Sequence, residues 1–209
     1  YCSESEVKKF IHVSAIGASA DSRSLYQQSK FSGEQKALNN FKNTIIVRPS
    51  VVCGVEDNFT NLFAKLSLSP VIPVIKPDYK FQPILADDVA TAIVRSIDIK
   101  KNEGKIYEIG GPKIISFKDM VKSIISTIGK KRLVVEMPMP LAKVQAALFS
   151  LMPKPLLTKD QCEILNEADN IVSDKHLILK DLNIKPVDVQ QAMPKWLWRY
   201  RTGGEFAKI

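Results

Sequence analysis

Cysteine is scarce in these 209 residues. Cys2, Cys53 and Cys162 stand far apart, odd in number and without a CxxC pair. That is a poor disulfide framework and favours a reducing compartment. His12 and His176 are the only histidines. Neither has a cysteine or carboxylate at ligand spacing, so no metal site is expected. No stretch reaches the ~18 uninterrupted apolar residues that span a bilayer; residues 137–157 come nearest and are broken by Lys143, Gln145 and Lys154. A secretory signal and internal repeats are also lacking. The nine glycines, at 17, 33, 54, 104, 110, 111, 129, 203 and 204, form no G-x-G-x-x-G, the loop that lets backbone approach a pyrophosphate. The formal charge is +8, from 30 basic and 22 acidic residues, but no long Lys/Arg run accompanies it. That excess suits a phosphate-bearing cofactor, an acidic partner or an anionic membrane, and charge alone does not choose among them. Nucleic acid ranks last, because basic and aromatic residues interleave only in one short C-terminal stretch.

With 45% apolar and 25% charged residues the composition is that of a globular protein. Lys8–Val13 reads as a buried strand running into the small residues Ser14–Ala18. A helix is expected from Ser24 to Phe41, then a strand over Thr44–Val47 stopped by Arg48-Pro49 and a short helix around Asn61–Leu68. Pro70–Pro77 is extended and Lys80–Leu85 can be a strand. Asp87–Ile99 patterns as an amphipathic helix with Val89, Ile93, Val94 and Ile97 inward, Asp87 and Asp88 capping its start. A strand over Lys105–Ile109 precedes a helix over Ser116–Ile128, N-capped by Ser116 and stopped by Gly129. Leu133–Met137 is another strand, and Pro140–Leu151, Thr158–Ala168 and Pro186–Tyr200 are helical. Strands spaced by helices predict an α/β fold with parallel pairing, and the helical last third predicts a smaller subdomain. The division expected is 1–110 and 111–209, with the two parts interleaved.

Ser14, Tyr26 and Lys30 are the residues that could carry chemistry. Tyr26 and Lys30 are i and i+4, neighbours on one helix face. An ammonium beside a phenol favours the phenolate and brings its pKa down from ~10, as a general acid or base needs. Ser14, closing the preceding strand, could orient a substrate oxygen. Taken alone, the pair is also what a solvated helix surface offers, since five tyrosines in a lysine-rich chain readily produce such spacing.

The order of motifs sharpens the reading. Ser14, the YxxxK of Tyr26 and Lys30, the strand ending Arg48-Pro49-Ser50-Val51-Val52-Cys53-Gly54, then Phe81-Gln82-Pro83-Ile84 and the helix opening Asp87-Asp88-Val89-Ala90 together resemble the extended or atypical short-chain dehydrogenase/reductases. VKKFIHVSAIGA, SKFSGE, RPSVVCG, FQPILADDVA, YEIGGP, PKPLLTKDQ and the terminal PKWLWRYRTGGEF are similar to one branch. It is the atypical family that includes the NAD(P)H-binding accessory subunit of respiratory NADH:ubiquinone oxidoreductase (complex I) and its bacterial relatives. The resemblance implies the C-terminal part of a Rossmann-like doubly wound parallel sheet with a small, mainly helical subdomain. Without the glycine loop and with Tyr1 at its start, the chain is expected to lack the first strands of that sheet. The cofactor implied is NADP(H) or NAD(H), without a metal. Tyr26 and Lys30 would meet it, along with Pro49, Ser50, Val51 and Val52 at the nicotinamide end. Complex I subunits are the implied partners, at the cytoplasmic face of a bacterial inner membrane or the matrix face of the mitochondrial one. The nucleotide would be structural; the alternative is an oxidoreductase or epimerase with Tyr26 as acid/base, Lys30 as its partner and Ser14 orienting an alcohol, sterol-like or quinone-pathway substrate.

Other residues have simpler readings. His12 is expected as a satisfied core side chain, Arg48 as a structural cation paired with a carboxylate or with carbonyls, and Cys53 as inert. Ser50 could instead simply turn the chain after Pro49. In Lys195–Arg201 three cations interleave with three aromatics, which predicts partial packing plus contact with a partner or a membrane interface. Leu141, Val144, Leu148 and Leu151 form a helical apolar stripe, read first as a core seam and second as a membrane-facing surface. An unpaired Lys8–Val13 edge would make the isolated chain poorly soluble.

Overall fold

Short β-branched runs build the centre of the molecule. The structure is a computed structural model that describes residues 4–99, 103–150, 152–153 and 155–206; Cys2, Leu151 and Lys154 lie outside them. The order begins β1 (Phe10–Val13), α1 (Leu25–Asn40), β2 (Thr44–Pro49), β3 (Val52–Cys53), α2 (Asn58–Leu66), β4 (Val71–Ile75), β5 (Lys80–Phe81), β6 (Ile84–Leu85) and α3 (Ala86–Asp98). It continues β7 (Ile106–Ile109), β8 (Ile115–Ser116), α4 (Phe117–Thr127), β9 (Leu133–Met137), α5 (Met139–Phe149), α6 (Lys159–Asn166), α7 (Val189–Ala192) and α8 (Pro194–Leu197). Two 3-10 turns, Leu179–Leu182 and Trp198–Tyr200, complete it.

Strands β1, β2 and β7 pair in parallel in that order, with His12 opposite Ile46 and Arg48 opposite Glu108. Alternation along β2 sends Ile45 and Val47 into a cluster with Val89 and Ala92 of α3, while Arg48 turns to Glu34 of α1. Helices therefore cover both faces, and the fold is α/β with a Rossmann-like parallel sheet. A larger cluster gathers α2, α4, α5, α6, α7 and α8 around Phe63, Phe117, Met120, Ile124, Trp196 and Leu197. Two further parallel pairs, β3 with β6 and β4 with β9, and the antiparallel pair β5 with β8 tie the two clusters together.

Several expectations needed correcting. Lys80–Leu85 is not one strand, because Pro83 has no N–H for a ladder and the Gln82 N–H donates to the Asn170 carbonyl at 3.1 Å. Asp87 and Asp88 do not cap α3, whose N-cap is Leu85; the Asp88 carboxylate accepts from the Val187 N–H at 2.9 Å. Both still lie in the first turn, where the helix dipole favours them. On α3, Val94 and Ile97 face outward. Pro194 divides the expected last helix by opening α8 at its first position. The stripe on α5 is not a core seam. Leu141, Val144 and Leu148 are exposed, whereas Ala142 and Ala146 are fully buried. Small residues on the buried face let α5 lie close to α6, to which Lys143 is bridged by Glu163 at 2.7 Å. Among the described residues no helix is long and apolar enough to cross a membrane.

Candidate functional site

Ligands of open α/β sheets bind beyond the carboxyl ends of the strands, where Ser14 follows β1 and Ser50 follows β2. Ser14 leaves β1 with its N–H donating to the Val47 carbonyl at 2.7 Å. Its hydroxyl is 3% exposed and has no hydrogen-bond partner among the described residues. A buried hydroxyl left unpaired costs free energy on the order of 1–3 kcal/mol, so this oxygen is suited to a bound molecule. The loop turns at Gly17, φ +89°, where a Cβ would stand 2.4 Å from Gln27 Nε2.

Tyr26 and Lys30 share a face of α1, as their spacing predicts. The Lys30 ammonium lies 5.6 Å from the Tyr26 ring centroid, a cation–π arrangement. Burial raises the Tyr26 pKa above its ordinary value, so the expectation of a lowered phenol fails. The cation sits over the ring, where it attracts the π face without stabilising an ionised hydroxyl enough to offset burial.

The start of α1 is held from elsewhere in the chain. Ser24 caps it, accepting from the Gln27 N–H. Asp160 of α6 accepts from the Ser24 hydroxyl at 2.8 Å and from the Leu25 N–H at 2.7 Å. Glu167 accepts from the Arg23 N–H at 2.9 Å. Carboxylates at a helix N-terminus satisfy orphan donors and complement the dipole, so α6 fixes the direction in which Tyr26 and Lys30 project.

Asn170 holds the predicted nicotinamide-end segment. The Ser50 hydroxyl donates to Asn170 Oδ1 at 2.6 Å, and the Val51 N–H donates to the same oxygen at 3.1 Å. Pro49 ends β2 in the core, and Val52 pairs with Ile84. Gln82 completes the brace, donating to the Gly111 carbonyl at 2.8 Å and accepting from the Val172 N–H at 3.0 Å. The polar groups of Ser50 and Val51 are thus engaged within the chain.

A polar cleft of about 740 Å³ opens between the Ile16–Ser22 loop and residues 167–176. On one wall Arg48 donates to both Glu34 oxygens, at 2.8 and 2.7 Å, and approaches Glu108 at 3.5 Å. These hydrogen bonds to Glu34 raise the Arg48 pKa still further. Glu108 also accepts from the N–H and hydroxyl of Ser173, at 2.9 and 2.7 Å. Gln27 reaches the cleft from α1; Tyr26, Lys30 and Ser14 are not among its lining residues.

Arg48 is the carboxylate-paired structural cation expected. His12 is not satisfied, because its Nε2 is buried and unpartnered among the described residues, and burial lowers its pKa. Burial pushes the Cys53 thiol well above its ordinary value, consistent with inertness. Sequence reasoning missed Glu34, Glu108, Asp160 and Asn170. Glu34 sits in the SKFSGE stretch and could have been paired with Arg48, but the Asn170 contacts span about 120 residues and leave no local signal.

Comparison with known proteins bears on the family and the fold. NADH dehydrogenase [ubiquinone] 1 alpha subcomplex subunit 9 of Dictyostelium discoideum is 31% identical over 207 residues, covering 97% of this chain and 58% of that protein. The corresponding subunit of Mus musculus is 31% identical, covering 95% and 53%. The chain thus spans little more than half the length of these relatives. Among solved structures, UDP-glucose 4-epimerase of Thermotoga maritima superposes with a TM-score of 0.65 at 16% identity, covering 97% of this chain and 64% of that one. The dTDP-glucose 4,6-dehydratase of Bacillus anthracis, solved with NAD, gives 0.64 at 17% identity, covering 95% and 63%. The family description RmlD substrate binding domain matches residues 18–201, and this chain belongs to that family.

Proposed function

We propose that this chain is part of an NAD(P)H-binding, dehydrogenase-like accessory protein of respiratory NADH:ubiquinone oxidoreductase, in which the nucleotide is held as a structural element. The observation that carries this reading is the likeness to named subunits of that enzyme over 95–97% of the chain. Identity to the sugar-nucleotide enzymes that share the fold is about half as high. The unpaired Ser14 hydroxyl at the end of β1 and the Tyr26–Lys30 pair on α1 would meet the ribose and nicotinamide end of a dinucleotide. A bound nicotinamide would supply hydride chemistry; this chain's residues would orient it and exclude water.

Membrane or partner contact through Lys195–Arg201 falls chiefly to Trp198, which is 54% exposed while Trp196, Leu197 and Tyr200 are buried. The test is a native gel of gently solubilised membranes carrying the tagged parent protein and stained for NADH dehydrogenase activity. Co-migration with the large active band is expected, and a free soluble protein would sink the reading. The alternative is a turnover enzyme using Tyr26, Lys30 and Ser14, and the orphaned Ser14 hydroxyl favours it. Under that alternative Tyr26→Phe abolishes hydride transfer; under the accessory reading it leaves assembly unchanged.

A further inference from the structure

A second cavity, of about 280 Å³, lies among α2, β4, β9, α5 and α6, away from the polar cleft. Phe59, Phe63, Phe81 and Phe117 form one wall, their ring centroids 5.3–5.6 Å apart. Ile164 and Leu157 also line it, and among the described residues the only polar side chains in the lining are Gln145 and Gln161. Gln161 is engaged in the capping box of α6, accepting from the Thr158 N–H at 2.9 Å. A water needs two to four polar partners, whereas a dry apolar cavity of ~150 Å³ is already large enough to take benzene. This one is larger and offers water almost nothing.

Its rim has the same character. At ~100° per residue, Gln145 and Phe149, which line the cavity, lie beside the exposed Leu141, Val144 and Leu148 on α5. Leu156 both lines the cavity and is 51% exposed. An apolar surface therefore leads into an apolar interior, and among the described residues no charged side chain lines it.

We propose that this cavity binds one hydrocarbon chain of a fatty-acyl lipid, entering past Leu156 and the apolar face of α5. Aliphatic groups suit a wall of tilted and edge-on phenyl rings, and the scarcity of polar lining excludes a sugar nucleotide here. If a methylene occupies roughly the volume share of a water, ~30 Å³, the cavity holds about nine carbons.

Displacement of a fluorescent fatty acid from the purified parent protein by free acids, from hexanoate to palmitate below their micelle limits, tests this directly. Affinity should rise about fourfold per added methylene and level off near about nine carbons. An affinity that keeps rising through palmitate would mean surface adsorption and overturn the proposal, as would absence of displacement. Leu62→Trp, at a half-buried lining position, should move the plateau to a shorter acid; an unmoved plateau in a folded variant places the chain elsewhere. If that variant does not fold, the wild-type series still decides. Phosphatidylcholine vesicles distinguish the source. Loss of vesicle binding in a Leu141→Gln, Val144→Gln, Leu148→Gln variant with an unchanged free-acid series assigns the chain to a membrane lipid. Free-acid binding without vesicle binding in the wild type assigns it to a free fatty acid.

Discussion

Removing the Glu34 carboxylate tests the account of how α1 is fixed to the sheet. Glu34 is fully buried and accepts both forks of Arg48, itself 9% exposed. Breaking a buried pair by deleting one partner costs ~3–5 kcal/mol, mostly for the charge left behind. In Glu34→Ala, Arg48 keeps Glu108 at 3.5 Å and borders the cleft, so the loss should fall at the lower end, about 3 kcal/mol. Arg48→Ala leaves two buried carboxylates without their cation, and about 4–5 kcal/mol is expected. The double variant should lose about 2 kcal/mol less than the sum, because the two side chains touch. Urea denaturation followed by circular dichroism reads these differences, with an unchanged m-value showing that the unfolded reference is constant. A Glu34→Ala loss below about 1 kcal/mol, or additivity in the cycle, would refute the claim that this pair anchors α1.

Alkali should destabilise the protein. Burial raises the pKa of Tyr26, Tyr79, Tyr200, Cys53 and Cys162, so above their ordinary values of 9.0 and 10.0 the unfolded chain ionises first. Urea midpoints should be highest below that range and fall as pH rises through it; a flat profile would contradict the burial. In acid, His12 acts with its pKa lowered chiefly by burial, so the unfolded chain takes the proton first as pH falls below 6.5. The His12→Phe variant should lose less stability than wild type between pH 7 and about pH 5, and equal losses would acquit His12. Gly111→Ala would place a Cβ 2.1 Å from the Pro83 carbonyl oxygen; insoluble or unfolded protein is expected, and a wild-type melting curve would show that the β6–β7 approach can relax.

The α/β order was legible because the longer strands are short β-branched runs bounded by Pro, Gly or a polar loop, while two-residue strands such as Val52–Cys53 and Ile115–Ser116 left no such signal. Thr44–Pro49 and Leu133–Met137 needed only that. What local pattern could not reveal was allegiance. Val94, Ile97 and Leu141 have core chemistry but face outward, since the faces that pack carry smaller residues, Ala92, Ala142 and Ala146. The Tyr26–Lys30 pair was legible as spacing and misread as electrostatics, because spacing does not specify whether an ammonium sits at the hydroxyl or over the ring. Asp160, Glu167 and Asn170 were invisible for a further reason: each acts more than 100 residues away, through a loop or helix end whose route the sequence does not state.

The aromatic tail illustrates both sides. Two tryptophans two residues apart cannot share one helix face, so one of them must serve a different purpose from the other. Trp196 is 5% exposed and donates Nε1–H to the Thr60 hydroxyl at 3.0 Å. Tyr200 donates to Asn61 Oδ1 at 3.0 Å, and Arg199 donates to the same oxygen at 2.8 Å. The tail is therefore clamped to α2, and its packing consumes most of what would otherwise meet a membrane. Trp196→Ala should cost ~3–5 kcal/mol in a urea melt. Trp198→Ala, half-exposed, should leave that melt within about 0.5 kcal/mol of wild type while weakening association of the tagged parent with the respiratory membrane. Equal destabilisation by the two substitutions would mean that Trp198 is also a packing residue, leaving the tail no aromatic to offer a partner.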